Sequence, residues 1–377
     1  MPVGPLFVSE SRFLCLIAAQ EGPAVKCGTF CTSLFFCAIS KPCLVLCYGA
    51  EGANPAPVRD TMPVPVLDAA AWADKLMNLP REGARSVTAF YEHRVGAICT
   101  DTRLLLVPLD DHMVHRGDAI FESLTLLEGR IVQLDAHLAR MRGSAEKLEL
   151  MPPCSWDEVR SLIIETARAG GETHGGIKVL LGRGEGGLGV DPADCPKSSL
   201  YIVVSKGGPK PASFWQKGLT AARSVIPAKQ EWIAQIKSTN YLANALMARE
   251  AREKGVSVTF SFDGRGFLAE AAIANVAMVD RGGRLLMPEF RFALPGTTAL
   301  LAAELAKSFM PVVLTDITEE ILEDAAEILV LGTTCECVAV THYNGKPVGD
   351  GRPGPIADRL RHLLHDALVT GGVPFLG

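Results

Sequence analysis

The residue with the greatest chemical reach in this 377-residue chain is Lys237, within Gln235-Ile-Lys-Ser-Thr-Asn-Tyr-Leu-Ala-Asn-Ala-Leu-Met-Ala-Arg-Glu-Ala251. Leu242, Ala245, Leu246 and Arg249 recur after it at helical spacing, Asn240 is placed to cap the first turn and Gly255 to stop the helix. Lys237 is therefore expected in the turn that feeds a helix. An amine on a surface turn is usually a solvated group, whereas one whose proton affinity is lowered by its site can serve as nucleophile and base. Two later turns, Gly296-Thr297-Thr298 and Gly332-Thr333-Thr334, each adjoin a helix start or a strand end. Their backbone amides and hydroxyls suit an anion. Arg140 offers a guanidinium, whose fork matches a phosphate dianion.

Periodicity predicts the elements that must carry these groups. Alternation over residues 94–107 predicts strands joined at Asp101-Thr102, leading into Asp111-His-Met-Val-His-Arg-Gly-Asp-Ala-Ile-Phe-Glu-Ser123. Gly129-Arg130 signals a hairpin, and Asp135 is expected to cap a helix whose apolar face is Leu138, Met141, Ala145 and Leu148, with Arg140 off that stripe. Ser155-Trp-Asp-Glu158 has capping-box spacing and opens a second helix carrying Val159, Leu162 and Ile163, ended by Gly170-Gly171. A strand at 177–181 runs into Gly182-Arg-Gly-Glu-Gly-Gly187, formally a Gly-x-Gly-x-x-Gly dinucleotide fingerprint. The fingerprint needs its last glycine to open a helix, and Leu188-Gly-Val-Asp-Pro-Ala-Asp-Cys-Pro196 cannot start one. A substrate-side loop is expected instead. After a strand at 200–204, Gly207-Gly-Pro-Lys-Pro-Ala212 reads as an interdomain linker. Strands at 256–262, 274–279, 285–287 and 327–331 then alternate with helices after Thr298, Thr318 and Pro355.

Three stretches carry a family resemblance: the one around Lys237, Phe267-Leu-Ala-Glu-Ala-Ala-Ile-Ala-Asn-Val-Ala-Met-Val-Asp280, and Leu294-Pro-Gly-Thr-Thr-Ala-Leu-Leu-Ala-Ala-Glu-Leu-Ala306. Joined by His137-Leu-Ala-Arg140, they resemble the class IV aminotransferases. These are fold-type IV pyridoxal-phosphate enzymes that include branched-chain and D-amino-acid transaminases and aminodeoxychorismate lyase. The resemblance spans residues 64–368 and implies an α/β (α+β) fold: a small domain at 64–204, a linker at 205–214 and a larger, β-rich cofactor domain at 215–370. Lys237 would form the internal aldimine with pyridoxal 5'-phosphate and move the proton between the substrate Cα and C4′. Glu270, five residues before Asn275, would pair with the ring nitrogen and keep the ring an electron sink. Arg140 would grip the phosphate, with Gly296, Thr297, Thr298, Gly332, Thr333 and Thr334 as the rest of its cup, although Thr297 and Ala299 replace the more usual isoleucine and arginine. Tyr241 would bond the cofactor's phenolic oxygen, and Phe121, Gly189 and Val190 would face the substrate.

Within the family, D-amino-acid enzymes hold the substrate carboxylate with an arginine and a histidine where this chain has Asp191-Pro-Ala-Asp194, and they carry a tyrosine where it has Phe121. The favoured reading is therefore a ping-pong transaminase acting on a branched-chain-like L-amino acid and a 2-oxo acid. A lyase making 4-aminobenzoate and pyruvate is the alternative enzyme, because Arg183-Gly-Glu-Gly-Gly187 and an asparagine three after the lysine suit it as well. A non-catalytic cofactor-binding or assembly protein is a further alternative, opposed by the joint presence of Lys237, Glu270 and Arg140. The resemblance also implies a homodimer.

Composition bounds the rest. With 48% hydrophobic and 21% charged residues the chain is globular, and its formal charge of −5 comes from interspersed signs without a basic block, so no nucleic-acid partner is expected. His112 and His115 stand three apart with no obvious third ligand, so no metal site is expected and surface or supporting roles are assigned. Of 11 cysteines, Cys15, Cys27, Cys31, Cys37, Cys43 and Cys47 crowd into the first fifty residues, and the others are scattered, which favours reduced thiols. Residues 1–61 form an extension of unclear status. Its apolar run at 29–48 is broken by Lys41-Pro42, no membrane helix is expected, Met62 is an alternative start, and a cytoplasmic location is expected.

Overall fold

The structure, a computed structural model, describes residues 64–376. The expectations for residues 1–61, including the alternative start and the broken apolar run, lie outside the described residues.

The first part of the chain folds around an antiparallel sheet. Helix α1 (Ala69–Asn78), capped by the Asp68 carboxylate, precedes the hairpin of β1 (Val87–Glu92) and β2 (Ala97–Cys99). The strand expected beyond residue 100 does not form. Asp101 Oδ1 instead accepts from the Arg103 amide and opens a single 3-10 turn at Thr102–Leu104. Next come α2 (His112–His115), β3 (Ala119–Leu127), β4 (Arg130–Ile131) and α3 (Leu134–Lys147). The cap of α3 is Gln133, in the left-handed conformation, and not Asp135. The chain leaves the tight β3–β4 hairpin straight into the helix, so Asp135 falls inside the first turn, where its charge meets the positive end of the dipole. The expected capping box opens α4 (Trp156–Gly170), and Gly171, at φ 69°, closes it.

Strands β5 (Gly175–Gly182) and β6 (Ser199–Lys206) complete the centre of this sheet. Between them residues 183–191 form no helix, and the 188–196 stretch expected to start none makes a single 3-10 turn at Pro192–Asp194, capped by Asp191. The edge strand at one end is β16 (Val373–Pro374), from far along the chain, giving the order β16-β4-β3-β5-β6-β1-β2. Alternate residues of β3 (Ile120, Leu124, Leu126) pack with Val159, Ile163 and Phe375 under α3 and α4, while Phe121, Ser123 and Thr125 point to the opposite face. His112, expected in a surface or supporting role, is fully buried: its Nε2 lies 3.1 Å from the Gly187 carbonyl and its ring meets His115 edge-on. No metal-ligating cluster occurs among the described residues.

The second sheet begins after α5 (Ala212–Lys217). It contains β7 (Leu219–Arg223), β8 (Val258–Phe262), β9 (Leu268–Ala271), β10 (Asn275–Val279), β11 (Leu285–Met287), β12 (Val312–Leu314), β13 (Glu327–Gly332), β14 (Glu336–Tyr343) and β15 (Lys346–Pro347). Its helices are α6 (Glu231–Ala234), α7 (Leu242–Glu253), α8 (Thr297–Ala306), α9 (Glu319–Glu323) and α10 (Pro355–Thr370). Strand β9 pairs with β8 and, through Glu270 and Asn275, with β10, so the path β10-β13-β14-β7-β8-β9 closes on itself. Phe260, Val276, Ile328 and Tyr343 fill one side of this sheet, and Ala277, Leu329, α8 and α10 cover the other.

Helix α7 departs from expectation in two ways. Its buried face is Asn244, Met247, Glu250 and Ala251, while Leu242 is exposed. Its N-cap is Tyr241, with no side-chain cap, and the Asn240 side chain is held just ahead of β3 by its Nδ2 donating to the Gly117 carbonyl at 3.0 Å. No helix among the described residues is long and apolar enough to cross a membrane, and the five described cysteines are free.

Helix α10 receives a cap from a distant strand. Glu327 on β13 accepts from the Ile356 and Ala357 amides, each at 2.9 Å. Glu327→Ala should destabilise the fold by about 1–3 kcal/mol and Glu327→Gln by less, as read from chemical denaturation midpoints.

Candidate active site

Lys237 is fixed by its backbone before its side chain is considered. Within β3, strand β4 pairs only with Leu126 and Leu127, leaving the start of β3 with an open edge, and residues 237–239 fill it. The Phe121 amide donates to the Lys237 carbonyl at 2.8 Å, Ser238 bridges to Ile120, and the Thr239 amide donates to the Ala119 carbonyl at 2.9 Å. The Asn240 bond to Gly117 clamps the far side. From this anchored turn the Lys237 Nζ donates to the Tyr241 hydroxyl at 3.3 Å and lies 4.8 Å from the Phe121 ring centroid. The Phe121 and Tyr241 rings meet edge-on at 4.9 Å. Burial, and then the Arg140 charge, push the Lys237 pKa down to about 8. Burial also raises the Tyr241 pKa, which keeps its hydroxyl protonated.

Glu270 arrives on β9. The Leu294 amide donates to its Oε2 at 3.1 Å, and Lys229 Nζ lies 3.6 Å from Oε1. Burial raises its pKa, and Lys229 and the Leu294 amide oppose that rise.

Arg140 comes from α3 and is held by a buried carboxylate. Its Nε and a terminal nitrogen donate to Glu122 at 2.8 and 2.7 Å, and the other terminal nitrogen reaches the Pro295 carbonyl at 3.3 Å. His137, one turn earlier on α3, places Nδ1 2.6 Å from Glu122 and Nε2 3.3 Å from the Thr297 hydroxyl. Burial lowers the His137 pKa, so the ring is neutral, donating to Glu122 and accepting from Thr297. Burial alone would raise the Glu122 pKa, but hydrogen bonds from Arg140 and His137 and the Arg140 charge outweigh it and hold it at about 2.

The two small turns face the same space. Gly296 precedes α8, and any Cβ there would fall 1.9 Å from Asn275 Oδ1, so only glycine fits. The Thr298 Oγ1 that follows is buried with no partner, a donor aimed where an anion would satisfy it. Gly332 ends β13, and the Thr333 carbonyl is tied to Thr125 Oγ1 at 3.0 Å.

One cavity of about 430 Å³ is lined by Phe121, Arg140, Lys237, Tyr241 and Glu270, and by both turns, Gly296 to Thr298 and Gly332 to Thr334. Its size admits a small cofactor with a small substrate. Gly189 and Val190 do not line it: Val190 is 77% exposed, and Arg116 holds the loop elsewhere by donating to the Gly189 carbonyl at 2.8 Å. Sequence reasoning missed four polar groups here. Lys229 carries no local signal, but Glu122, Ser123 and Lys178 do, as polar residues inside otherwise apolar strands.

The chain matches the amino-transferase class IV family over residues 119–343. It is 33% identical over 315 residues to the chloroplastic D-amino-acid transaminase of Arabidopsis thaliana, covering 82% of this chain and 83% of that one. It is 27% identical to a putative branched-chain-amino-acid aminotransferase of Methanocaldococcus jannaschii, covering 71% and 93%. The structure superposes on a T.th. branched-chain amino acid aminotransferase with pyridoxamine 5'-phosphate at a TM-score of 0.71, with 24% identity, covering 75% of this chain and 95% of that one.

Glu122 should leave a signature in acid. Its folded pKa lies below its ordinary value of 4.5, so its stabilisation is complete above about pH 4.5 and lost as pH falls towards about 2. Denaturation of Glu122→Gln should show a flatter stability profile across that window than wild type. Thr298→Val should weaken retention of a phosphate-bearing ligand about tenfold, measured by equilibrium dialysis.

Proposed function

Because the chain belongs to the class IV aminotransferases, which use pyridoxal 5'-phosphate, we propose that it transfers an amino group from an amino acid to a 2-oxo acid in two half-reactions around Lys237. The observation that carries this reading is the convergence of Lys237, Glu270 and Arg140 on one cavity from three separate elements. The residues fit the cofactor. Thr298 Oγ1, the amides at the start of α8 and Arg140 would hold its phosphate, and Glu270 would face its ring nitrogen.

When bound, the cofactor supplies an aldehyde that exchanges amino groups and a ring that accepts the electron pair left at Cα. The protein's part is proton control. At a pKa of about 8, Lys237 has a neutral form accessible near physiological pH and can take the proton from the substrate Cα. Tyr241, protonated and bonded to Nζ, orients that amine. Glu270 can hold a proton-bearing ring nitrogen as an ion pair, and Lys229 favours its ionised form. Glu122 fixes the plane of Arg140, so the guanidinium meets the phosphate without reorganising. Leu124, Ile177, Ile236 and Leu331 back the cavity from the two cores.

For the donor we infer a branched-chain-like L-amino acid, supported by Phe121 and by Asp191-Pro-Ala-Asp194 in the 183–198 loop. A D-amino acid is the second reading, favoured by the 33% identical Arabidopsis relative. We also infer a homodimer, in keeping with the exposed Trp72, Leu109, Leu188 and Val190.

Holoenzyme should be offered L- and D-amino acids with 2-oxo acids, and the products resolved by chiral chromatography. Amino transfer is expected, and Lys237→Ala should lower it at least about a thousandfold. Pyruvate released from aminodeoxychorismate without an acceptor, with no transfer to any 2-oxo acid, would replace the transaminase with the lyase.

A further inference from the structure

Lys229 belongs to no strand or helix, yet its place is fixed. It stands between β7 and α6, where the Ala228 amide donates to the Phe262 carbonyl at 3.0 Å and stitches the segment to the end of β8. Earlier in the segment the Val225 amide donates to Glu250 Oε1 at 2.9 Å, and after it the Ala234 amide returns to the Gln230 carbonyl at 2.8 Å. The side chain is 18% exposed and lines the cavity. Its Nζ lies 3.6 Å from Glu270 Oε1 and 5.0 Å from the centroid of the Tyr241 ring, within reach of a cation–π attraction. The Tyr241 hydroxyl accepts in turn from Lys237 Nζ. One ammonium therefore braces the carboxylate and the phenol that are expected at separate edges of the cofactor ring.

The charges of the cavity leave this task to Lys229. Arg140, from α3, is paired with Glu122 on β3 at 2.7 Å, and Lys237 is turned to Tyr241. Among the described residues Lys229 is the one cation within ion-pair distance of Glu270, whose other oxygen accepts from the Leu294 amide. Burial raises the proton affinity of Glu270, and the Lys229 charge is the largest influence opposing it. Lys229 also acts on Lys237, in the same direction as burial and Arg140, which lower its proton affinity. A carboxylate and a pyridine nitrogen that share one proton away from water hold it either as a neutral pair or as an ion pair. Low dielectric favours the neutral pair, with the proton on oxygen; a cation against the carboxylate favours the ion pair, with the proton on nitrogen.

We propose that Lys229 is a positioning residue that keeps the proton shared by Glu270 and the cofactor's ring nitrogen on the ring. The proposal rests on the aminotransferase reading and deepens it, because a ring that keeps its proton is the stronger electron acceptor. Lys229 acts through Glu270 and needs no contact with the substrate.

The test compares wild-type holoenzyme with Lys229→Met and Lys229→Arg, each loaded with pyridoxal 5'-phosphate isotopically labelled at its ring nitrogen. The visible cofactor band and the melting temperature confirm folding, and Lys229→Gln replaces the methionine variant if that one is unstable. In wild type the nitrogen resonance should fall in the protonated range; Lys229→Met should move it towards the unprotonated range and Lys229→Arg should not. In the cofactor-free full chain, infrared titration follows the Glu270 carboxyl, identified by its loss in Glu270→Gln. Its midpoint should rise by at least about one pH unit in Lys229→Met, because removing a cation favours the protonated form. For amino transfer, kcat should fall about tenfold with KM little changed. A folded, active Lys229→Met whose nitrogen resonance and infrared midpoint match wild type overturns the role of Lys229 and leaves the transaminase standing. Both signals moving as described in a protein that transfers no amino group keeps Lys229 and removes the transaminase. An unprotonated ring nitrogen in wild type overturns the proposal whatever the activity.

Discussion

The buried carboxylate of Glu122 is the interaction on which the rest of the site depends. It sits on β3, accepts from Arg140 and His137 on α3, and reaches Thr297 at the start of α8 through the neutral His137 ring. An unpaired carboxylate in that position would cost several kcal/mol, so the guanidinium and the imidazole are needed by Glu122 as much as they need it. One anion thus sets the distance between the first sheet and the turn expected to hold a phosphate. Lys237 is fixed to the same strand by its backbone, so amine and guanidinium share a single frame.

Burial drives the perturbed groups around the cavity towards their neutral forms. It lowers Lys237, raises Tyr241 and raises Glu270. Each shift disfavours charge, as a site with restricted water dictates. The carboxylate on the phosphate side runs against this trend, because there two donors overcome desolvation. The cavity is thereby divided into a region that tolerates fixed charge and a region where charge can appear and disappear.

Much of this was legible in the sequence, for physical reasons. Strand and helix positions follow local periodicity, so the capping box at Ser155, the hairpin at Gly129-Arg130 and four strands of the second sheet (β8, β10, β11 and β13) lie within a few residues of expectation, while β7, β9, β12, β14 and β15 were not expected. The lysine, the glutamate, the arginine and both turns lie in motifs that a chain carries locally. What the sequence hid is tertiary. Asn240 has the right chemistry to cap α7, but its side chain is tied to the Gly117 carbonyl, 123 residues earlier, through its Nδ2. The apolar stripe of α7 was misread because its buried face carries Asn244 and Glu250, which bond the Ala272 carbonyl and the Val225 amide. Glu122 reads as an ordinary strand residue until α3 folds over it. Gly189 and Val190 were assigned to the substrate from their motif, whereas Arg116 holds their loop away from the cavity lining.

The strand at Val373–Pro374 sets an order of assembly. It closes the edge of a sheet whose other strands end at Lys206, and Phe375 beside it fills the core beneath α4 while the Arg168 side chain donates to its carbonyl. On a ribosome, the first sheet is therefore synthesised long before its last strand emerges, and for that interval β4 presents an unpaired edge. The nascent chain must keep that edge from pairing with another copy while about 170 further residues are made, at the elongation rates typical of cells. Closure of the first sheet, and the rigid seating of β3 that follows, thus waits until residues 373–375 have been made. Amine, guanidinium and carboxylate share a sheet that is completed only when this strand has emerged.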